Sequence, residues 1–99
     1  MRLRGKHCLV HAVPMQGGTA ARFGFVIPKT VGNAVKRNRL RRQYKAISLE
    51  LLRSGITPGD YVIRAKTAES LQPFHHMRED LFALFESANL LTPGWTIQK

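Results

Sequence analysis

The segment KTVGNAVKRNRLRRQYK, residues 29–45, contains both the start of a helix and seven of the sixteen Lys and Arg of the chain. Gly32 ends an extended run, Asn33 can cap a helix with its side-chain oxygen, and neither proline nor glycine interrupts residues 34–54. Apolar side chains then recur at spacings of four, three and four, which is typical of a helix that packs on a sheet. They are Leu40, Tyr44, Ile47 and Leu51. The segment therefore predicts a long helix with one buried face.

The same segment contains no Asp or Glu. Lys36, Arg37 and Arg39 fall in the first turns of the predicted helix, at the positive end of its dipole, which weakens the isolated helix. Phosphates bound at this end would make the arrangement favourable, because free backbone N–H groups also point outward there. The pattern therefore predicts a helix that binds a polyanion.

Positive charge is concentrated in the first half of the chain. Residues 1–49 contain eleven Lys and Arg and no acid, whereas residues 50–99 contain five Lys and Arg and all six acids, which gives a net charge of +10. The ordinary alternative is a basic surface that only aids solubility, and the absence of acids over 49 residues argues against it. Binding that depends strongly on salt is expected.

Length and composition indicate one domain. The chain has 99 residues, of which 43% are hydrophobic, enough for a two-layer core. No apolar run is long enough to span a bilayer, no secretory signal is present, and Cys8 has no second cysteine to pair with. We therefore predict a cytoplasmic protein that folds as a single domain over residues 1–99. Its tail, from about residue 91, is expected to be either a short final strand containing Trp95 or a frayed end.

Three strands and a second helix complete the predicted α+β fold. Residues 7–13 and 22–27 predict two strands, with the second expected to pair with the first as a hairpin. Residues 61–65 predict a third strand, and Asp60 is expected to lie in the turn before it. Residues 71–90 predict a second amphipathic helix. Its apolar stripe is Phe74, Met77, Leu81, Leu84, Phe85 and Leu90.

The sequence shows no catalytic or metal site. His7, Cys8 and His11 suggest zinc at first sight, but on a strand Cys8 points away from both histidines, and structural zinc needs four convergent ligands. His75 and His76 have no acidic or thiol partner at ligand spacing other than Glu79, so a surface or packing role is expected for them. We predict no catalytic residue and no protein-bound metal.

The stretch RFGFVIPKTVGNAVKRNRLRRQYK, residues 22–45, resembles the signature of the protein subunit of bacterial ribonuclease P. Arg37, Asn38 and Arg39 match the RNR motif of that family. The segments RGKHCLVHAVP (residues 4–14) and PGDYVIRAK (residues 58–66) are similar to the strands on either side of the family's central helix. The resemblance covers most of residues 4–90.

This resemblance implies a noncatalytic subunit of an RNA-processing enzyme. In the family, the RNA subunit is a ribozyme that cuts the 5′ leader from precursor tRNA with Mg²⁺ held by RNA, and the protein contributes binding. The implied partners are the catalytic RNA and precursor tRNA, with no membrane and no required protein partner. The implied fold is a small mixed sheet with helices packed on it, similar to domain 2 of ribosomal protein S5, with a left-handed βαβ crossover.

The resemblance also implies roles for individual residues. The RNA-contact positions carried over are Arg37, Asn38, Arg39, Arg42 and Lys45, with Lys29 at the helix entrance. The charge pattern and the cap complete the predicted RNA-binding set with Asn33, Lys36 and Arg41. The candidates for a cleft that receives the single-stranded leader are His11, Phe23 and Phe25. For the two phenylalanines the alternation along the strand favours a place in the core instead.

The sequence departs from the family pattern at its start. The family has a basic N-terminal helix that walls the leader cleft, and Met1 stands only a few residues before the first predicted strand. We expect this helix either to be missing or shortened, with a weaker grip on the leader, or to lie upstream of Met1. Thr30 also stands where a second lysine is frequent, and Lys45 where arginine is usual.

Two other functions fit the composition. A ribosomal or ribosome-assembly RNA-binding protein would have the same basic half and small fold. An autonomous endonuclease would cut RNA without an RNA partner, but no acid–base pair is visible for it.

Overall fold

The computed structural model describes residues 1–15, 17–18 and 20–91, so the predicted tail strand around Trp95 lies outside the described residues. Two helices pack on one face of a sheet whose strands lie in the order β1-β2-β4-β3. The strands are β1 (Arg2–Arg4), β2 (Cys8–Pro14), β3 (Ala21–Val26) and β4 (Gly59–Ala65), and the helices are α1 (Ala34–Arg53) and α2 (Phe74–Ser87). Short 3-10 turns at Lys29–Val31 and Ala68–Ser70 precede the two helices.

Strand β4 lies between β2 and β3, so the predicted hairpin of the first two long strands is wrong. β2 runs antiparallel to β4 and β3 runs parallel to it, with α1 as the connection between the two parallel strands. The β-branched residues Val62 and Ile63 lie at the centre of β4 and favour a strand that is paired on both sides. Gly24 weakens the interior of β3, which is consistent with a place at the edge of the sheet. The sheet is therefore mixed, as the family resemblance implied.

Gly59 determines how closely β2 approaches β4. It has φ +154°, and a Cβ atom placed on it would lie 2.5 Å from the carbonyl oxygen of Val13. Only glycine fits there, and the strand can therefore begin at Gly59 itself. The prediction that Asp60 belongs to a turn is wrong, since Asp60 is the second residue of β4.

The core lies between the sheet and the helices. The predicted apolar stripe of α1 is confirmed, because Leu40, Ile47 and Leu51 are fully buried and Tyr44 is 2% exposed. The Tyr44 ring stacks on Phe25 with 6.1 Å between ring centroids. Burying each such side chain stabilises the fold by about 1.5–3 kcal/mol. This packing holds α1 on the sheet and leaves its opposite face free.

The ends of the helices follow local sequence signals. Helix α1 ends at Arg53, one residue before the predicted limit, and Gly55 follows with φ +83°, a left-handed conformation that glycine favours at the end of a helix. Helix α2 is shorter than predicted, because Ala88 caps it and Asn89 turns the chain at φ +61°. Neither helix in the described part of the chain combines the length and apolar character needed to cross a bilayer.

Candidate nucleic-acid interface

The start of α1 is built as an electropositive helix end. The side-chain oxygen of Asn33 accepts a hydrogen bond of 3.0 Å from the backbone N–H of Lys36, which confirms Asn33 as the cap. The first turn contains no acidic residue. The free backbone N–H groups of the first turn therefore lie at the positive end of the helix dipole, beside cations and no acid.

The cations of residues 29–45 form no ion pair among the described residues, and all of them except Arg37 are exposed. Within the residues that the structure describes, the ion pairs join Arg22 to Asp60 and Arg78 to Glu50, and neither involves a cation of residues 29–45. We call the exposed lysine, arginine and asparagine side chains of this segment the α1 surface. Its members are Lys29, Asn33, Lys36, Asn38, Arg39, Arg41, Arg42 and Lys45.

Two arginines of the segment are held by the fold. Asn38 accepts a hydrogen bond of 3.3 Å through Oδ1 from Nη1 of Arg41, so the amide orients its neighbour. Arg37 is half-buried, and its Nε is buried without a hydrogen-bond partner among the described residues. A buried N–H without an acceptor is costly, and a phosphate or base oxygen bound beside Arg37 would satisfy it.

The sheet presents a second basic surface on the side away from the helices. Cross-strand neighbours place Arg4, Leu9, Arg64 and Val26 in one row, and Arg2, His11, Val62 and Gly24 in the next. The three arginines are exposed, and the apolar residues between them are half-buried or exposed. We call this side of the sheet the open face. It consists of Arg2, Arg4, Leu9, His11, Val13, Arg22, Gly24, Val26, Asp60, Val62 and Arg64.

Sequence reasoning missed Arg2, Arg4 and Arg64. The signal for the first two was the alternation in Arg-Leu-Arg, which places both arginines on one face of a strand, but three residues are too few to predict a strand. Arg64 stands between the buried residues Ile63 and Ala65, and the same alternation places it on the open face.

The three candidates for a leader cleft lie on two different faces. His11 is half-buried on the open face. Phe23 and Phe25 point to the helices, where Phe23 stacks on Tyr61 at 5.4 Å and Phe25 on Tyr44, and both pack against the core. The three side chains therefore do not form one cleft, and the core interpretation of the phenylalanines is confirmed.

Arg22 and Asp60 form a two-bond ion pair at one end of the open face. Arg22 Nε lies 2.9 Å from one carboxylate oxygen and Nη2 lies 3.1 Å from the other. The hydrogen bonds from Arg22 lower the pKa of Asp60. Because both side chains are exposed, the pair contributes little to stability, and its main effect is to fix the plane of the guanidinium group.

The ionisable groups beneath the sheet offer no catalytic chemistry. Burial raises the pKa of the Cys8 thiol to about 12, and the nearby Asp80 carboxylate adds to the effect, so the thiolate needed for nucleophilic attack is scarce. No three His, Cys, Asp or Glu side chains in the described ranges converge as metal ligands.

Comparisons with known proteins agree on one family. A sequence model of the family described as Ribonuclease P matches residues 1–89. The chain is 37% identical over 84 residues to the ribonuclease P protein component of Symbiobacterium thermophilum, covering 84% of this chain and 72% of that protein. It is 34% identical over 76 residues to the same component of Kocuria rhizophila, covering 77% and 67%.

Solved structures share the fold. The ribonuclease P protein of Staphylococcus aureus superposes with a TM-score of 0.78 at 18% identity, over 93% of this chain and 84% of that one. The protein of Thermotoga maritima gives a TM-score of 0.77 at 23% identity, over 88% and 82%. The chain covers 48% of the ribonuclease P protein component of Clavibacter michiganensis and 75% of that of Shouchella clausii.

Proposed function

Because the chain belongs to the ribonuclease P protein family, and is thus an accessory subunit of the ribonuclease P holoenzyme, we propose that its two basic surfaces bind two RNAs. The α1 surface binds the ribonuclease P RNA. The open face binds the single-stranded 5′ leader of precursor tRNA. Cleavage itself belongs to the RNA subunit, and the protein holds the substrate against it.

The observation that carries the proposal is the set of unneutralised cations on a helix with one buried face. The stripe from Leu40 to Leu51 fixes α1 on the sheet, and Asn33 fixes its start. The cations are therefore presented in a constant arrangement instead of on a loose tail. A preorganised cationic helix suits a folded RNA, whose phosphates have a fixed spacing.

The open face has the composition of a single-strand binding surface. Exposed arginines on β1 and β4 flank apolar residues such as Leu9 and Val62, so phosphates and base faces both find partners. His11 lies on this face and belongs to the proposed leader site, whereas Phe23 and Phe25 pack against the core and do not belong to it. We further propose that RNA holds the Mg²⁺ of the reaction, as the family resemblance implies.

Reconstitution with a bacterial ribonuclease P RNA tests the proposal. The chain is expected to raise affinity for precursor tRNA above that for mature tRNA and to allow leader removal at Mg²⁺ concentrations where the RNA alone is slow. Glu69→Gln, a change at an exposed acid outside both surfaces, is the control and should behave as the parent chain. If neither affinity nor cleavage changes relative to RNA alone, the proposal is wrong.

A further inference from the structure

Gly24 lies at the centre of β3, on the open face. Its cross-strand neighbour on β4 is Val62, and Arg22 and Val26 stand on the same face two residues to either side along β3. His11 lies in the same row, one strand beyond Val62. The missing side chain therefore leaves a recess in a surface that is otherwise covered by side chains.

The fold does not require glycine at this position. A Cβ atom on Gly24 would meet only Val62 Cγ2, at 3.8 Å, which is an ordinary contact, and Gly24 is not among the residues with positive φ. Gly59 is the opposite case, with a Cβ position 2.5 Å from a backbone oxygen. Glycine inside a strand destabilises the fold relative to alanine, so what Gly24 provides is space above the strand.

The walls of the recess define what fits it. Val62 forms an apolar floor beside the glycine backbone, and Val26, 39% exposed, forms one side. On the other side stands Arg22, whose guanidinium plane is held by the two hydrogen bonds that it donates to the carboxylate of Asp60. A flat apolar floor beside an oriented cation suits a planar ring that is attached to a phosphate.

We propose that Gly24 forms the floor of a subsite for one unpaired nucleobase of the leader, with Arg22 contacting an adjacent phosphate and Asp60 as the positioning residue for Arg22. This inference rests on the proposed function of the open face. The base lies flat against the strand backbone, at a distance that a side chain at residue 24 would prevent. Because every base has an apolar face, the subsite accepts any base.

Gly24→Ala tests the subsite in the reconstituted holoenzyme. Affinity for precursor tRNA should fall about 5–20-fold, since stacking of one base is commonly worth that factor or more. Affinity for mature tRNA should not change, and the melting temperature of the protein should stay the same or rise. The opposite directions of the two changes separate a lost subsite from a damaged fold. A variant that unfolds, or that binds precursor tRNA as tightly as the parent chain, would overturn the inference.

Abasic leaders identify the ligand as a base. The base is removed at each leader position in turn. At one position, its removal should weaken binding to the parent chain but should not further weaken binding to Gly24→Ala. Equal additional losses in both proteins at every position would contradict the subsite. Arg64→Ala separates this result from the proposed function: if it weakens leader binding while Gly24→Ala does not, the open face binds RNA without the subsite. If neither changes leader binding, the leader site itself is wrong.

Discussion

Asn38 and Arg42 contribute to the α1 surface in different ways, although they stand four residues apart. Arg42 is an exposed cation outside every ion pair of the described residues, and a phosphate contact there releases a counterion. Asn38 carries no charge and acts through its hydrogen bond from Arg41. Charge and orientation can therefore be separated by mutation.

For Arg42→Ala we expect weaker binding to ribonuclease P RNA and a decrease of about 1 in the slope of log affinity against log salt concentration. For Asn38→Ala we expect weaker binding with an unchanged slope, because Arg41 keeps its charge and loses only its position. Filter binding at several salt concentrations measures both. An unchanged slope for Arg42→Ala would show that this arginine faces solvent in the complex.

Cys8 shows the effect of burial on a single residue. Its pKa of about 12 makes the thiolate scarce in the folded chain at pH 8, whereas the unfolded chain has an ordinary thiol pKa near 8.5. We expect iodoacetamide to alkylate the folded protein at least about a thousand-fold more slowly than the unfolded one. Alkylation at equal rates would contradict the buried position.

The same shift gives the stability of the fold a pH dependence. Because the folded pKa lies above the unfolded one, the contribution of Cys8 is fully present below about pH 8.5 and is lost as the pH rises toward 12. The free energy of unfolding, measured with denaturant, should be lower at pH 9.5 than at pH 8. Cys8→Ala is the matched control. Its free energy of unfolding should decrease less between the two pH values than that of the parent chain.

At the scale of the element, the start of α1 combines a stabilising cap with a destabilising charge pattern. Asn33 satisfies one backbone N–H, yet Lys36 and the cations after it oppose the helix dipole. Bound phosphates would relieve this conflict. The helix is therefore less stable alone than a capped helix of its length can be, and the cations of its first turns account for the difference.

Asn33→Asp should stabilise the free protein and weaken RNA binding. Aspartate keeps the cap and adds a negative charge near the positive end of the dipole, which is commonly worth about 0.3–1 kcal/mol in the free energy of unfolding. The same charge repels the phosphates of the RNA. Denaturant unfolding and RNA-binding titrations measure the two effects.

Asn33→Ala is the control for the cap. It removes the hydrogen bond without adding charge and should lower the free energy of unfolding by about 0.5–2 kcal/mol. If Asn33→Asp binds RNA as tightly as the parent chain, phosphates do not approach the start of α1.

At the scale of the whole molecule, local patterns were predictable and long-range pairing was not. The cap at Asn33 and the stripe of α1 depend on residues within a few turns of one another, and both were predicted. The order of the strands depends on contacts such as that of Cys8 with Ala65, far apart in sequence, and the hairpin prediction failed there.

The same division holds for the candidate site. The cations of α1 form one run of sequence, so composition alone revealed them. The open face collects Arg2, Arg4 and Arg64 from two strands that are not sequence neighbours, and a pattern within one segment does not bring them together. The sequence predicts only that Gly24 lies within a strand. The open space around Gly24 depends on its neighbour on β4, which the sequence pattern of one strand does not give.

The α1 surface and the open face lie on opposite sides of the sheet, because α1 packs on the face that Phe25 and Tyr61 point to. If the chain binds two RNAs as proposed, this separation gives each RNA its own surface. Among the described residues, no side-chain hydrogen bond or ion pair joins the two surfaces, and distant sites usually act independently. The two RNA affinities should therefore respond to different mutations.

We expect Arg42→Ala to weaken binding of the ribonuclease P RNA, and Arg64→Ala to weaken binding of precursor tRNA to the assembled holoenzyme with no change for mature tRNA. Leader-dependent cleavage is measured at subsaturating RNA. The fold-loss of the double variant should equal the product of the fold-losses of the two single variants, within about twofold. Binding of each RNA to the parent chain, both single variants and the double variant measures the coupling. A coupling free energy above about 1 kcal/mol would mean that one RNA contacts both surfaces, and the two-surface arrangement would then be wrong.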